Sequence, residues 1–173
     1  LIQALTPLLF TTGLLFANLE KELQTQFILA ASGDTITIPK GHHKIQGTLS
    51  IEGKENLVIQ GVGMDVSILS FSNQSEGAQG ISITNSKNIT LEKFTIQDSK
   101  GDAIKAQYTD GIIFRHVKVE WTGGPKETNG AYGLYPVQCE NVLIEHSISI
   151  GASDAGIYVG QSNNIVVRYN EAF

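Results

Sequence analysis

A four-residue pattern that returns at a fixed interval limits this chain to a small set of folds. Asn88-Ile-Thr-Leu91 recurs as Asn141-Val-Leu-Ile144 and as Asn164-Ile-Val-Val167. Asn56-Leu-Val-Ile59 is a weaker copy and Gly111-Ile-Ile-Phe114 a variant. Asn88 to Gly111 is 23 residues, and Asn141 to Asn164 is 23 again. Gly111 to Asn141 is 30, so that unit carries seven extra residues. A unit this short cannot bury an apolar face alone, but a stack of such units can, and the result is a solenoid. The repeated runs are short and alternating, so the units are strands and the solenoid is a β-helix.

Composition agrees with stacked strands joined by tight turns. Charged residues are 17% of the chain, below the usual quarter or so, and glycine is abundant at 18 residues. The net charge of −5 offers no basic stripe for a nucleic acid. The single cysteine, Cys139, excludes an internal disulfide. It stands where other coils have Ser86, Thr109 and Ser162, so it reads as a small ladder residue rather than a reactive thiol. No phosphate loop, nucleotide fingerprint, serine elbow or CxxC occurs. No cofactor is therefore expected.

The 173 residues divide into three parts. Residues 1–17 form an apolar run too short and interrupted to span a bilayer. It reads as the core of a secretory signal with Ala17 near the cleavage point, which predicts an extracytoplasmic protein (periplasmic, secreted or cell-surface) with no stable membrane insertion. Residues 18–32 predict a capping helix. Asn18 can cap it, and Leu19, Leu23, Phe27 and Ala30 share one face up to about Ala31. Such a helix would plug the open first coil. Residues 33–173 form the β-helix itself. The chain lacks an initial Met and stops at Phe173 just after a strand, which predicts that the solenoid is incomplete at its C-terminus.

Each coil is predicted to hold three short strands, giving an all-β, right-handed parallel solenoid of triangular section. Strand alternation turns Ile89, Leu91 and their copies inward, so Ile144 is inside and Leu143 outside. Successive rungs then stack about 4.8 Å apart and outward residues form ladders. Asn56, Asn88, Asn141 and Asn164 make one, at a corner. Glu92, Arg115, Glu145 and Arg168 make a surface ladder of alternating sign. Ser82, Lys105, Tyr135 and Tyr158 make a third, on the third strand. His116 and His146 can stack, but no other histidine or cysteine completes a metal site. His42-His43 reads as a solvated loop. Asn73-Gln-Ser75 and Asn88-Ile-Thr90 match the glycosylation sequon, with Asn88 already claimed by its ladder.

These coils resemble the right-handed parallel β-helix repeat proteins, which include pectin and alginate lyases, alginate epimerases and sugar-hydrolase-like periplasmic domains. Ala31-Ser-Gly-Asp-Thr-Ile-Thr-Ile-Pro-Lys-Gly41 resembles the opening coil of that group. Asn129-Gly-Ala-Tyr-Gly-Leu-Tyr-Pro136 and Asp154-Ala-Gly-Ile-Tyr-Val-Gly160 are similar to a bacterial subfamily of undefined activity. The resemblance implies fold and leaves chemistry open, because one fold hosts lyases, epimerases, hydrolases and inert fibres. Tyr132-Gly-Leu-Tyr-Pro136 also resembles the Tyr-Gly-Phe-Asp-Pro-His stretch of alginate C5-epimerases. Here Tyr135 replaces the Asp and Val137 the His, so that proton-transfer site does not carry over.

Candidate chemistry gathers on the third strand. Abstracting the proton beside a uronate carboxylate needs an acid, a base and a cation. Lys105 can supply the cation, and Tyr132, Tyr135 or Tyr158 the acid or base. Two carboxyls, Asp102 and Asp154, can instead hydrolyse a glycosidic bond. They are two coils apart, about 10 Å if in register. Asp98 lies in a neighbouring turn. Each of these acids also fits an ordinary turn. The insertion Trp121–Gly130 reads as a loop leading into Tyr132. Trp121 either stacks on a sugar ring or packs under its own loop. Two functions remain: a polysaccharide-engaging domain of lyase, epimerase or hydrolase type, bound through Lys105, Tyr135, Tyr158 and Trp121, or a non-catalytic interaction solenoid. Oligomeric state is not legible.

Overall fold

The computed structural model describes residues 19–173. The expected signal segment and the Asn18 cap lie outside the described residues. The helix α1 spans Leu19–Leu29, ending two residues before the expected Ala31. Leu23 and Phe27 are fully buried, with Leu19 and Ala30 packed at the edge of the core. The polar side of α1 is used as well. The Glu20 carboxylate accepts from the backbone N–H groups of Gln46 and Gly47, each at 2.8 Å. The Gln24 amide bonds Ser50 in both directions, at 3.0 and 2.8 Å. These backbone groups belong to the first coil, which has no earlier rung to pair with among the described residues. α1 thus plugs the core and satisfies the exposed edge together. Lys54 donates to the carbonyls of Ile28 and Ala30 at the helix end, at 2.7 and 3.2 Å.

The strands follow in regular order: β1 (Thr35–Thr37), β2 (Gly41–Lys44), β3 (Leu49–Glu52), β4 (Glu55–Gln60), β5 (Ser67–Ser70), β6 (Ile81–Thr84), β7 (Lys87–Gln97), β8 (Ile104–Gln107), β9 (Asp110–Glu120), β10 (Tyr132–Val137), β11 (Glu140–Glu145), β12 (Ile148–Ile150), β13 (Ala155–Ile157), β14 (Asn163–Arg168) and β15 (Glu171–Ala172). Every pairing among them is parallel and joins one coil to the next. The first face runs β1-β4-β7-β9-β11-β14 and the third β3-β6-β8-β10-β13. The second face holds β2, β5, the later halves of β7 and β9, then β12 and β15. β7 and β9 turn the corner and serve two faces. Ile89, Ile112, Val142 and Ile165 are successive register partners, as the repeat requires.

The corners explain why the repeat begins with Asn or Gly. Asn56, Asn88, Asn141 and Asn164 all have φ between 52° and 55°, and Gly111 has φ 78°. Left-handed backbone is open to glycine and is tolerated best by asparagine among the rest. The ladder also breaks at Gly111, because a Cβ there would lie 2.6 Å from Asn88 Oδ1. Asn88 donates to Asn56 Oδ1 at 2.9 Å and Asn164 to Asn141 Oδ1 at 3.3 Å. At the gap Asn141 donates to Asp110 Oδ1 instead, at 2.6 Å.

The charge ladder forms in order but is not wholly a surface feature. Glu145 is buried, and its carboxylate holds Arg115 and Arg168, each at 2.7 Å. The contact from Arg115 to Glu92 is looser, at 4.0 Å. The next residues, Lys93, His116, His146 and Tyr169, are again left-handed, and the rings of His116, His146 and Tyr169 stack 5.1 Å apart. Inside, Ile144 is fully buried while Leu143 is partly exposed, in the expected phase.

One local expectation changes, and the choice left open for Trp121 is decided. His42-His43 is not a loop: both residues lie in β2, paired in parallel with β5. Trp121 is not on the surface. It is 5% exposed and its indole donates to the Ser99 carbonyl at 2.8 Å, so it packs under its own loop.

Candidate functional site

The third face carries the Ser82–Lys105–Tyr135 ladder in register, with Tyr158 beyond it. Tyr132, at the start of β10, joins the cluster through a departure from simple alternation. The next residue, Gly133, points inward: a Cβ there would lie 2.2 Å from Ser149 Oγ and 2.8 Å from the Val119 side chain. Only glycine fits, and the strand start is turned so that Tyr132 faces out. The rings of Tyr132 and Tyr135 lie 4.6 Å apart, Tyr132 and Tyr158 4.8 Å, and Tyr135 and Tyr158 5.4 Å. The Lys105 ammonium sits 5.4 Å above the Tyr135 ring, a cation–π contact.

The insertion loop delivers Tyr132 between the two candidate acids. Its far end stacks between neighbouring turns: the Tyr132 carbonyl accepts from Ala103 N–H, and the Ala131 carbonyl from Asp154 N–H. Asn129 pins the loop through carbonyls of Gly124 and Gly151, at 2.9 and 2.6 Å. The Tyr132 backbone N–H lies near enough to Asp102 to favour its carboxylate, and the Tyr132 hydroxyl near enough to Asp154 to be raised by it. Asp102, Lys105, Tyr132, Tyr135, Asp154 and Tyr158 thus form one assembly. Trp121 is excluded from it by burial. Asp98 is excluded by employment: its carboxylate accepts from the Thr122 N–H and hydroxyl at 2.7 and 2.8 Å, anchoring the loop.

Electrostatics assign the groups their chemistry. Asp154, then burial, raises the Tyr132 phenol above its ordinary value. Burial, then the nearby Asp102 charge, raises Tyr135. Both phenols therefore hold their protons at neutral pH and serve as donors and π surfaces rather than bases. Burial also raises Asp102, against the opposing pull of Tyr132 N–H and Lys105. It accepts a proton more readily than an exposed aspartate.

Sequence reasoning missed a second polar network, on the second face. Glu120 accepts from the Gln97 amide nitrogen at 2.6 Å, and the Gln97 amide oxygen meets His42 Nε2 at 2.8 Å. Lys118 adds bonds to Glu120 and Asp65, at 3.0 and 3.6 Å. Because a carboxylate only accepts, Gln97 must turn its oxygen to His42, and Nε2 must carry the proton. A groove of about 540 Å³ lies elsewhere again, on the first face between the Asn ladder and Arg168, floored by Ile113, Leu143 and Val166.

With the coils and their contents placed, the kinship is decided. The family described as the right-handed β-helix region matches residues 31–173. This chain belongs to it. No curated protein matches the chain. Among solved structures, a protein from Parabacteroides merdae ATCC 43184, proposed to be a glycosyl hydrolase, is similar in fold. It has a TM-score of 0.55 and 11% identity over 90% of this chain and 84% of that one. At that identity the likeness speaks for the fold.

Proposed function

We propose that this β-helix is an extracytoplasmic domain that engages polysaccharide through its third face. The observation that carries the reading is the convergence of Tyr132, Tyr135 and Tyr158 within 4.6–5.4 Å, with Lys105 above one ring. Outward rings at rung spacing, about 5 Å, match the length of a sugar unit, and their faces pack against its C–H groups. The fold likeness to a proposed glycosyl hydrolase supports the choice of ligand. The apolar run Leu1–Ala17 supports the location.

If the site turns over its ligand, the carboxyls at hand are Asp102 and Asp154, two rungs or about 10 Å apart, just beyond the inverting range of about 6.5–9.5 Å. Elimination needs a strong base near the sugar carbon, and the phenols are tuned away from that role. The second reading is an interaction solenoid, favoured by the first-face groove and its apolar floor at Ile113, Leu143 and Val166.

Affinity electrophoresis through polysaccharide gels separates the two. The wild-type domain is expected to be retarded, and a Tyr135→Ala, Tyr158→Ala variant to lose affinity by roughly tenfold from the missing ring contacts. Equal retardation of a folded double variant would show that this face is not the site.

A further inference from the structure

The ligand class can be narrowed from the charges that the third face leaves unspent. We infer, building on the glycan reading above, that the site is selective for neutral polysaccharide and turns polyuronates away. Lys105 is the one ammonium among the six clustered side chains, and it is already engaged. It lies 5.4 Å above the Tyr135 ring, and its charge falls on Asp102. Against it stand two carboxyls, Asp102 and Asp154, one on each side of Tyr132 along the solenoid axis.

The rest of the face points the same way. Ser82 and Thr84 are register partners of Lys105's strand, and Gln107 lies two residues beyond Lys105. All three are partly exposed and neutral, with hydroxyl or amide groups suited to sugar hydroxyls. The chain as a whole carries −5. A polyuronate brings one carboxylate per sugar, at about the same repeat as the rungs. Any register that stacks its rings on the tyrosines puts those carboxylates within a Debye length, about 10 Å, of Asp102 or Asp154. Like charges brought together in a partly desolvated site oppose binding strongly. A neutral glycan meets the same rings without that opposition.

The test is electrophoresis of the whole chain through gels containing a neutral glucan or galactomannan, and through gels containing polygalacturonate or alginate. At low ionic strength the wild type is expected to bind neutral polymer at least roughly tenfold more tightly than polyuronate. An Asp102→Asn, Asp154→Asn variant, shown to be folded by a cooperative melt, is expected to gain retardation by polyuronate because Lys105 is then unopposed. Wild-type retention by polyuronate equal to that by neutral polymer overturns the selectivity and leaves the glycan reading standing. Retention by no polymer overturns both. A folded double variant that gains nothing on polyuronate overturns the assignment of the exclusion to these carboxyls.

Discussion

The charge ladder at one corner and the tyrosine cluster on the third face are built by the same rule, one outward residue per rung, yet they end in opposite states. In the ladder every carboxylate finds a cation. Glu145 lies between Arg115 and Arg168, and their hydrogen bonds hold its carboxyl below the ordinary range. In the cluster the carboxyls outnumber the cation. Burial lifts Asp102 above the ordinary range despite Lys105 and the Tyr132 N–H. A repeat that satisfies its own groups holds the solenoid together. A repeat left partly unsatisfied retains capacity to bind something else.

The largest expected effect tests the frame that both surfaces share. Ile144 is fully buried three residues after its corner Asn, and Ile144→Ala should cost about 2–5 kcal/mol as a large-to-small core change. Leu143→Ala, from the groove floor, should cost distinctly less. Denaturant melts giving the reverse order would put the strand phase off by one and exchange every outward ladder for an inward one.

The ladder's self-sufficiency is tested next. Glu145→Lys would set three cations in a row with Arg115 and Arg168. Glu145→Gln keeps the shape and part of the hydrogen bonding. The lysine variant should melt well below the glutamine variant, by a margin that narrows as salt is added. Equal midpoints would mean that the arginines find other partners and that the ladder is ornamental to stability.

These surfaces differed also in how legible they were in the sequence. The ladders are products of period and phase, so reading the repeat was enough to order Glu92, Arg115, Glu145 and Arg168. The corner positions followed as well, since left-handed backbone selects Asn and Gly. The cluster's members were individually visible, but their assembly needs register across two coils and an inward glycine, Gly133, that turns Tyr132 out. No local pattern signals that. β2 was hidden because Gly41-His-His-Lys44 has no apolar alternation; its strand form comes from pairing with β5. The bond between His42 and Gln97 spans 55 residues and is created by the stack. Burial of Trp121 is likewise set by the turn at Ser99 beneath it, not by its own neighbours.

Titration sharpens the contrast, because the two surfaces should respond to pH with opposite sign. Glu145 is held below its unfolded value, so the unfolded chain takes up its proton first. Its stabilisation is present above the ordinary glutamate range and is lost as pH falls through the lowered folded value. Asp102 is raised in the fold, so its contribution is complete below the ordinary aspartate value and is lost as pH rises through the folded one. Melting midpoints followed across the acid range should show Glu145→Gln flattening the loss toward low pH. Asp102→Asn should flatten a loss that runs the other way. Two variants that flatten the same limb would erase the distinction between a satisfied ladder and an unsatisfied cluster.

The smallest effect is expected where the satisfied kind of ladder contains its one reactive atom. Ser86, Thr109, Cys139 and Ser162 occupy equivalent corner positions, and each side chain donates to the carbonyl two residues back, at 2.8, 3.3, 3.3 and 2.8 Å respectively. Cys139 also reaches the Ala106 carbonyl at 3.4 Å. It is buried, and burial raises its thiol against the smaller effects of its backbone hydrogen bonds. Cys139→Ser exchanges one donor for the donor that two other coils already use, and should change stability by no more than about 1 kcal/mol. The native thiol should react with a thiol reagent only on the timescale of unfolding, because the thiolate is both disfavoured and enclosed. Rapid modification of the folded protein, or a serine variant that fails to fold, would show that this corner is not the interchangeable ladder its hydrogen bonds describe.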